Sequence, residues 1–180
     1  MPADAEGRVH CGSDRRPAVE HWLLSTLSTE ERKQALTQWR DHSAALLPLG
    51  DLFSAVRIPR HLIEALARTA VPADLDEFLD QALDGGPVIC DDRRGRRYYA
   101  LVPATMPVTW HQAVDEWRSM DVDCLGRGTY LGVPRVEAVD PVSGGPGSYW
   151  SVPMSPTAAL CSPLHVARLL AAARQELTAG

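Results

Sequence analysis

The stretch DVDCLGRGTYLGVPRVEAVDPVSGGPGSYWSVPM, residues 121–154, decides the fold of this chain. Its first part, Asp123–Pro134, contains three glycines, which indicate a strand with a tight bend or a close backbone approach. Its last part, Ser148–Pro153, alternates polar and apolar residues, as a half-buried strand does. The SGGPG segment between them has no side chains suited to a core. We therefore predict that the two strands pair with each other and are joined by a long surface loop.

The chain on either side of this stretch contains further helix and strand patterns. Apolar residues at helical spacing predict a helix after Pro17, a second helix that begins with a Ser28–Glu31 capping box, and helices over 60–69, 74–83, 110–120 and 163–178. Residues 44–49 form a short apolar run that ends at a Gly50–Asp51 turn, and residues 52–58 predict a strand. Residues 87–90 and 98–102 predict a hairpin about the sequence DDRRGRR.

This order of elements predicts an α+β fold, with a mostly antiparallel central sheet flanked by helices. We expect disorder over residues 1–16, which are polar and without period, and a single domain over residues 17–180. The predicted core includes Phe53, Val88, Tyr99, Leu131, and Trp150 or Val152.

Composition narrows the functional class. The 180 residues are 45% hydrophobic and 23% charged, which is ordinary for a globular protein. The net charge of −5 does not favour a broad nucleic-acid footprint, because phosphate binding needs a clustered positive face. No run of 18 apolar residues occurs, and the N-terminus lacks the apolar core of a signal peptide, so we expect a cytoplasmic protein without membrane contact. The four cysteines form no CxxC pair, so neither a disulfide framework nor a zinc site is expected.

Three segments carry a resemblance to a known family. They are VDCLGRGTYLGVP at 122–134 with Tyr149-Trp150 after it, GRRYYALVP at 95–103, and the approach from Trp39 through residues 44–58. Taken in their order along the chain, these segments resemble the primase-polymerase family, the archaeo-eukaryotic primase superfamily, over roughly residues 35–155. The resemblance implies that family's fold, in which strand carboxylates hold the catalytic metal ions.

The chain departs from the family at the residues that do chemistry. The family's first motif needs two carboxylates on one face of a strand, because two-metal phosphoryl transfer requires charged oxygen ligands. Arg57 stands at that place, Arg97 replaces the family's histidine, and only Asp123 remains of the acidic set. The resemblance therefore implies the fold with its active site dismantled. Asp123 is either a strand-end residue that accepts backbone hydrogen bonds or, in an enzyme, the catalytic carboxylate.

One basic cluster stands out in the sequence. Arg93, Arg94, Arg96 and Arg97 lie beside Tyr98 and Tyr99 and could bind phosphates while one of the rings stacks on a base. The alternative is a solvated hairpin tip that Asp91 and Asp92 partly neutralise. Because adjacent strand residues point to opposite faces, those two aspartates are poorly placed to share a metal ion.

Four further residues are candidates for contact with a partner, a ligand or a metal ion. Trp150 is a core residue or, if exposed, a contact for a partner or a base, and Arg57 is a second candidate contact for a partner or ligand. Cys161 and His165 have the spacing of two ligands on one helix face, but no second pair completes a tetrahedral site. We therefore expect no metal site and no cofactor.

Three functional hypotheses follow from these residues. The first is a non-catalytic binding or regulatory protein on a degenerate primase-polymerase-like fold, which contacts nucleic acid, a nucleotide or a protein partner. The second is a divergent metal-dependent nucleotidyltransferase that uses Asp123. The third is a stand-alone structural domain, or one that forms a homodimer, without a ligand. We favour the first, because a fold does not carry its function when the site residues are missing.

Overall fold

The fold is α+β, as the sequence predicts, and the central sheet is antiparallel. The computed structural model describes residues 11–93, 95–141 and 147–180. Helices within these residues are Cys11–Leu23 (α1), Thr29–Asp41 (α2), Arg60–Ala67 (α3), Pro72–Ala82 (α4), Met106–Thr109 (α5), His111–Trp117 (α6) and Pro163–Ala179 (α7). Strands within them are Ala44–Pro48 (β1), Phe53–Pro59 (β2), Val88–Asp91 (β3), Arg97–Pro103 (β4), Asp123–Leu125 (β5), Tyr130–Pro134 (β6) and Ser148–Val152 (β7).

The strands form a sheet and a separate ribbon. Five strands make one antiparallel sheet in the order β5-β2-β4-β3-β7, and β1 pairs only with β6 in what we call the β1–β6 ribbon. In the chain β1 leads into β2 and β5 leads into β6. Residues 44–59 and residues 123–134 are therefore two long segments that pair with each other twice, as β2 with β5 and as β1 with β6. The paired segments bend between these two regions, where each of them makes a turn.

Two turns in contact produce that bend. Gly50, between β1 and β2, has a φ of +100°, and a Cβ atom there would lie 2.6 Å from the backbone N and Cα of Arg127. The Leu49 N–H donates to the Thr129 carbonyl oxygen at 2.9 Å, which joins the same two turns. Only glycine tolerates both this backbone conformation and this close approach. The glycine-rich segment expected as one strand is consequently two strands, β5 and β6, in different sheets.

The predicted pairing of residues 123–134 with residues 148–153 is wrong. The β6 strand pairs with β1, with Leu46 opposite Gly132, and β7 pairs with β3 at the edge of the sheet. Periodicity identifies a strand but not its partner, because every strand offers the same backbone donors and acceptors. Apart from Gly147, the SGGPG segment lies outside the described residues.

Apolar side chains fill both faces of the sheet. Helices α3, α4 and α7 cover the face that carries Val56 and Tyr98, whereas α1, α2 and the β1–β6 ribbon cover the face that carries Phe53. The core prediction is confirmed for Phe53, Val88, Leu131, Trp150 and Val152, which are all buried, and Tyr99 is half-buried. The second face matters for function, because the ribbon leaves part of it open.

The N-terminal helix begins earlier than the sequence suggests. Helix α1 begins at Cys11 and contains Pro17 in its interior, so the disorder expected through residue 16 does not extend over residues 11–16. Arg15 Nη1 donates to Ser155 Oγ at 2.7 Å, and Arg16 forms an ion pair with Glu137 at 3.3 Å. These long-range contacts hold the end of α1 on the domain. Residues 1–10 lie outside the described residues.

Helix α2 is anchored at its start and near its end. The predicted capping box is confirmed: the Ser28 hydroxyl accepts from the Glu31 N–H at 3.2 Å, and the Glu31 carboxylate accepts from the Ser28 N–H at 2.8 Å. Near the other end, the buried Trp39 indole N–H donates to the Val133 carbonyl oxygen at 2.9 Å. This bond fixes α2 against the β1–β6 ribbon.

Candidate ligand-binding cleft

Residues that the sequence marks as functional meet on one face of the sheet. In the antiparallel register Arg57 on β2 stands opposite Asp123 on β5 and opposite Tyr99 on β4. Arg97, two residues before Tyr99, stands opposite Asp91 on β3. Directly opposed residues of antiparallel strands share a face. Arg57, Arg97 and Asp123, the three residues that the sequence analysis compared with catalytic positions, therefore lie on one side of three adjacent strands.

The Asp123 carboxylate forms an ion pair with an arginine of the neighbouring strand. The Arg57 guanidinium Nη2 donates to Asp123 Oδ2, and the two side chains are 27% and 34% exposed. The partner of Asp123 is thus a cross-strand cation and not the backbone N–H groups that we expected of a strand-end aspartate. The carboxylate charge is balanced within the protein, because its nearest partner is a permanently charged guanidinium.

A cleft of about 580 Å³ opens beside this row of residues. Its lining combines the end of the β3–β4 hairpin with the β1–β6 ribbon: Asp91, Arg93, Gly95, Arg97, Tyr99, Leu46 and Gly132. Gly132 lies next to Arg93 at the ribbon wall, because a Cβ atom at residue 132 would be 3.4 Å from Arg93 Nη2, an ordinary van der Waals distance. A second depression next to the cleft is lined by Arg93, Leu46 and Gly132 as well, together with Gln38 and His42.

The charge in the cleft is predominantly positive. Arg93 is paired with Asp91, which accepts from the Arg93 Nε at 3.3 Å and from its backbone N–H at 3.1 Å. Arg97 forms no ion pair with any residue that the structure describes. Burial raises the pKa of the Tyr99 hydroxyl and Asp91 adds to that rise, while Arg57, Arg97 and Arg93 oppose it. Tyr99 is therefore a neutral ring among three guanidinium groups.

The basic cluster predicted from the sequence is divided between the two faces of the sheet. Arg93 and Arg97 line the cleft, but the Arg96 side chain is only 8% exposed and donates to Asp92 at 3.3 Å. Tyr98 is fully buried in the other core, so it cannot stack on a base as we proposed from the sequence. Alternate residues of a strand face opposite ways, and the ring in the cleft is the next one, Tyr99. Arg94 lies outside the described residues.

Trp150 is a core residue and not a surface contact. It is 1% exposed, and its indole N–H donates to the Arg135 carbonyl oxygen at 3.1 Å. The condition for a contact with a base or a partner, an exposed ring, is therefore not met. In the strand register Trp150 pairs with Ile89, so it continues the row of Asp123, Arg57 and Tyr99 into the core.

Potential metal ligands are scattered in the described part of the chain. No group of three or more histidine, cysteine, aspartate or glutamate side chains lies together within residues 11–93, 95–141 and 147–180. Cys161 precedes α7 and donates its thiol proton to the Pro87 carbonyl oxygen at 3.3 Å, so it does not share a helix face with His165. Asp91 and Asp92 hold different arginines, Arg93 and Arg96.

Leu46 and Gly132 are cleft residues that sequence reasoning missed. Both belong to the β1–β6 ribbon, whose inward side chains are buried while Leu46 is 61% exposed. The alternation of residues 44–48 could have placed Leu46 on the outer face of a strand. Its position beside the arginines depends on the bend at Gly50, which a local pattern does not show.

Comparisons of the chain with protein-family models, with curated proteins and with solved structures found no match. In the described residues no helix has both the length and the apolar character needed to cross a membrane.

Proposed function

We propose that this chain is a non-catalytic binding protein that holds the phosphate groups of a nucleotide or of single-stranded nucleic acid in the cleft. The observation that carries the proposal is the lining itself: Arg93, Arg97 and the half-buried Tyr99 around a cavity of about 580 Å³. Guanidinium groups bind phosphate through paired hydrogen bonds, and an aromatic ring adds a surface for a base. The cavity volume lies in the range typical of small-molecule sites.

The resemblance to primase-polymerases supports the same location. Arg57, Arg97 and Asp123, which correspond to that family's catalytic positions, share one sheet face next to the cleft. A binding site inherited with the fold would retain this location while its metal ligands were lost. Two arginines in place of a carboxylate pair and a histidine favour the binding of an anion over the binding of Mg²⁺.

Strand geometry argues against the alternative of a divergent nucleotidyltransferase. Asp123 on β5 and Asp91 on β3 are the two acidic residues of the described strands on this sheet face, and β2 and β4 lie between them. Three strand spacings separate their backbones by roughly 14 Å. Metal ions in two-metal sites lie about 4 Å apart, so the two carboxylates are too distant to share them. Both carboxylates are also paired with arginines.

We place this role in the cytoplasm, on the basis of the cysteines. Cys90, Cys124 and Cys161 are free thiols in the structure. Free thiols are typical of reducing compartments.

Fluorescence anisotropy with a labelled single strand of about ten nucleotides tests the proposal, since this length spans the usual site sizes. Binding should persist in EDTA, and it should weaken with salt at a log–log slope of about −1.4 for two neutralised phosphates. The variant with both Arg93→Ala and Arg97→Ala should lose about tenfold in affinity and most of the salt slope. The matched control replaces Arg118 and Arg174, two ion-paired surface arginines outside the cleft lining, and should bind normally. Equal loss in both double variants, or binding that requires a metal ion, contradicts the proposal.

A further inference from the structure

A second groove adjoins the cleft on the far side of Leu46. It has a volume of about 280 Å³ and lies between helix α2 and the β1–β6 ribbon, where Gln34, Gln38, Leu46, Pro48 and Tyr130 line it. Leu46 lines the cleft and this groove alike. Gln38 also lines the depression that contains Arg93. The two sites are therefore continuous across one side chain.

The ribbon side of the groove exposes an aromatic ring and an aliphatic side chain. Tyr130 is 65% exposed and Leu46 is 61% exposed, although both belong to strands. Tyr130 stands opposite Pro48 in the register, and Leu46 stands opposite Gly132. The outer face of the ribbon is thus a flat apolar surface with one exposed ring and a glycine that leaves space beside it.

The helix side of the groove supplies amide groups. Gln38 Oε1 accepts a hydrogen bond from the Leu46 N–H at 2.8 Å, which leaves the Gln38 amide N–H groups as donors. Gln34 lies one turn earlier on α2 and lines the same groove. Glutamine amides pair with the edges of bases, so the wall opposite the ring can contact a stacked base.

The backbone of β1 does not favour a peptide strand as the occupant. Strand addition requires free N–H groups along an open edge. On the outer edge of β1 the Leu46 N–H is taken by Gln38, and Pro48 has no N–H. A planar base that stacks on Tyr130 needs no backbone donors, which makes nucleic acid the better fit.

We propose that the groove between α2 and the β1–β6 ribbon is a base-binding subsite for single-stranded nucleic acid, with one base stacked on Tyr130 and the neighbouring phosphates on Arg93 and Arg97. The inference rests on the proposed function and names its ligand class. Leu46 separates the base from the phosphates and contacts both parts of the strand.

The test compares two labelled probes of equal length and charge. One is an oligothymidylate of about ten nucleotides, and the other is an abasic chain with the same number of phosphates. The oligothymidylate should bind about tenfold more tightly than the abasic chain. Tyr130→Ala should remove most of that difference while the abasic affinity stays unchanged, because stacking on one ring contributes about this much per base and only Tyr99 in the cleft would still offer a ring. Tyr130→Phe keeps the ring and should therefore retain the difference in affinity between the two probes.

The outcomes separate the two proposals. Arg97→Ala should lower the affinity for both probes. Val108→Ala, at an exposed apolar residue outside the groove, should lower the affinity for neither. If both probes bind equally to the unmodified protein, or if Tyr130→Ala keeps the difference, the base subsite is wrong while phosphate binding stands. If neither probe binds, the proposed function itself is wrong.

Discussion

Arg57 and Asp123 face each other across β2 and β5, and the guanidinium donates to the carboxylate. The pair joins an arginine on β2 to the one acidic residue that the sequence analysis considered as a catalytic carboxylate. A metal ion at Asp123 would have to displace a guanidinium that is itself about three-quarters buried. This relationship is the physical basis of the first prediction.

The purified protein should neither synthesise nor extend primers with Mg²⁺ or Mn²⁺. Two metal ions must offset the charge of phosphoryl transfer, and one arginine-paired carboxylate cannot hold them. Primer extension on a single-stranded template, followed by gel electrophoresis, measures the activity. Asp123→Ala should change nothing in this assay and should cost about 1 kcal/mol of stability, because it leaves Arg57 without its partner. Metal-dependent synthesis that disappears in Asp123→Ala would make the protein an enzyme.

Asp76 on α4 should make stability depend on pH. Its carboxylate accepts from Ser151 Oγ at 2.5 Å and from Tyr149 Oη at 3.1 Å, and these bonds join α4 to β7. Burial raises the pKa of this carboxyl above its usual value, although both hydrogen bonds oppose the rise. The folded state thus binds the proton more tightly than the unfolded state. The stabilisation from this proton is complete below the unfolded pKa and is lost as pH rises through the folded pKa.

Two variants at Asp76 separate its charge from its hydrogen bonds. Asp76→Asn removes the charge and keeps one acceptor oxygen, so at pH 7 it should be at least as stable as the unmodified protein. Any advantage should shrink as the pH falls to about 4. Asp76→Ala leaves two hydroxyl groups unpaired and should cost about 1–3 kcal/mol. Urea denaturation at several pH values measures both. Equal losses in the two variants at every pH would show that the charge is not unfavourable in the fold.

The buried thiols should be unreactive in the folded protein. Burial raises the pKa of the Cys90, Cys124 and Cys161 thiols to about 12 each. Since the thiolate is the reactive form, about one thiol in ten thousand is ionised at pH 8. In a Cys11→Ser background, a disulfide reagent should therefore react slowly with the native protein. Three thiols should react quickly in guanidinium chloride. Rapid native modification of any of the three, located by mass spectrometry, contradicts this prediction.

Deletion of residues 1–16 should leave the domain folded with a small loss of stability. The deletion removes the Arg15–Ser155 hydrogen bond and the Arg16–Glu137 ion pair, both exposed, while Val19 and Leu23 of α1 stay in the core. Exposed contacts of this kind contribute at most about 1 kcal/mol each, so the loss of both should lower the melting temperature by no more than about 8 °C. Deletion of residues 1–10 alone, which keeps both contacts, is the control for differential scanning fluorimetry. A much larger drop would show that the N-terminal segment is part of the core.

Short-range features of this chain were predictable because neighbours in sequence determine them. The Ser28–Glu31 capping box and the hairpin about DDRRGRR depend on residues a few positions apart, and both are present. The same locality could have divided the arginine cluster. Alternation along β4 puts Arg97 and Tyr99 on one face and Arg96 and Tyr98 on the other. The prediction of one basic patch was therefore wrong, and the two-residue alternation of side chains along a strand was the signal in the sequence that divides the cluster.

Local patterns in the sequence predicted most of the helices and strands, because burial of alternating or helical apolar faces is a local requirement. Only the tertiary structure decided how the strands pair. The contact between Gly50 and Arg127 bends the paired segments, so residues 123–134 divide between the sheet and the β1–β6 ribbon. That bend brings Leu46 and Gly132 to Arg93 and Arg97 and creates the cleft. Strand pairing between distant segments depends on the fit of the whole chain, since every strand carries the same backbone hydrogen-bonding groups.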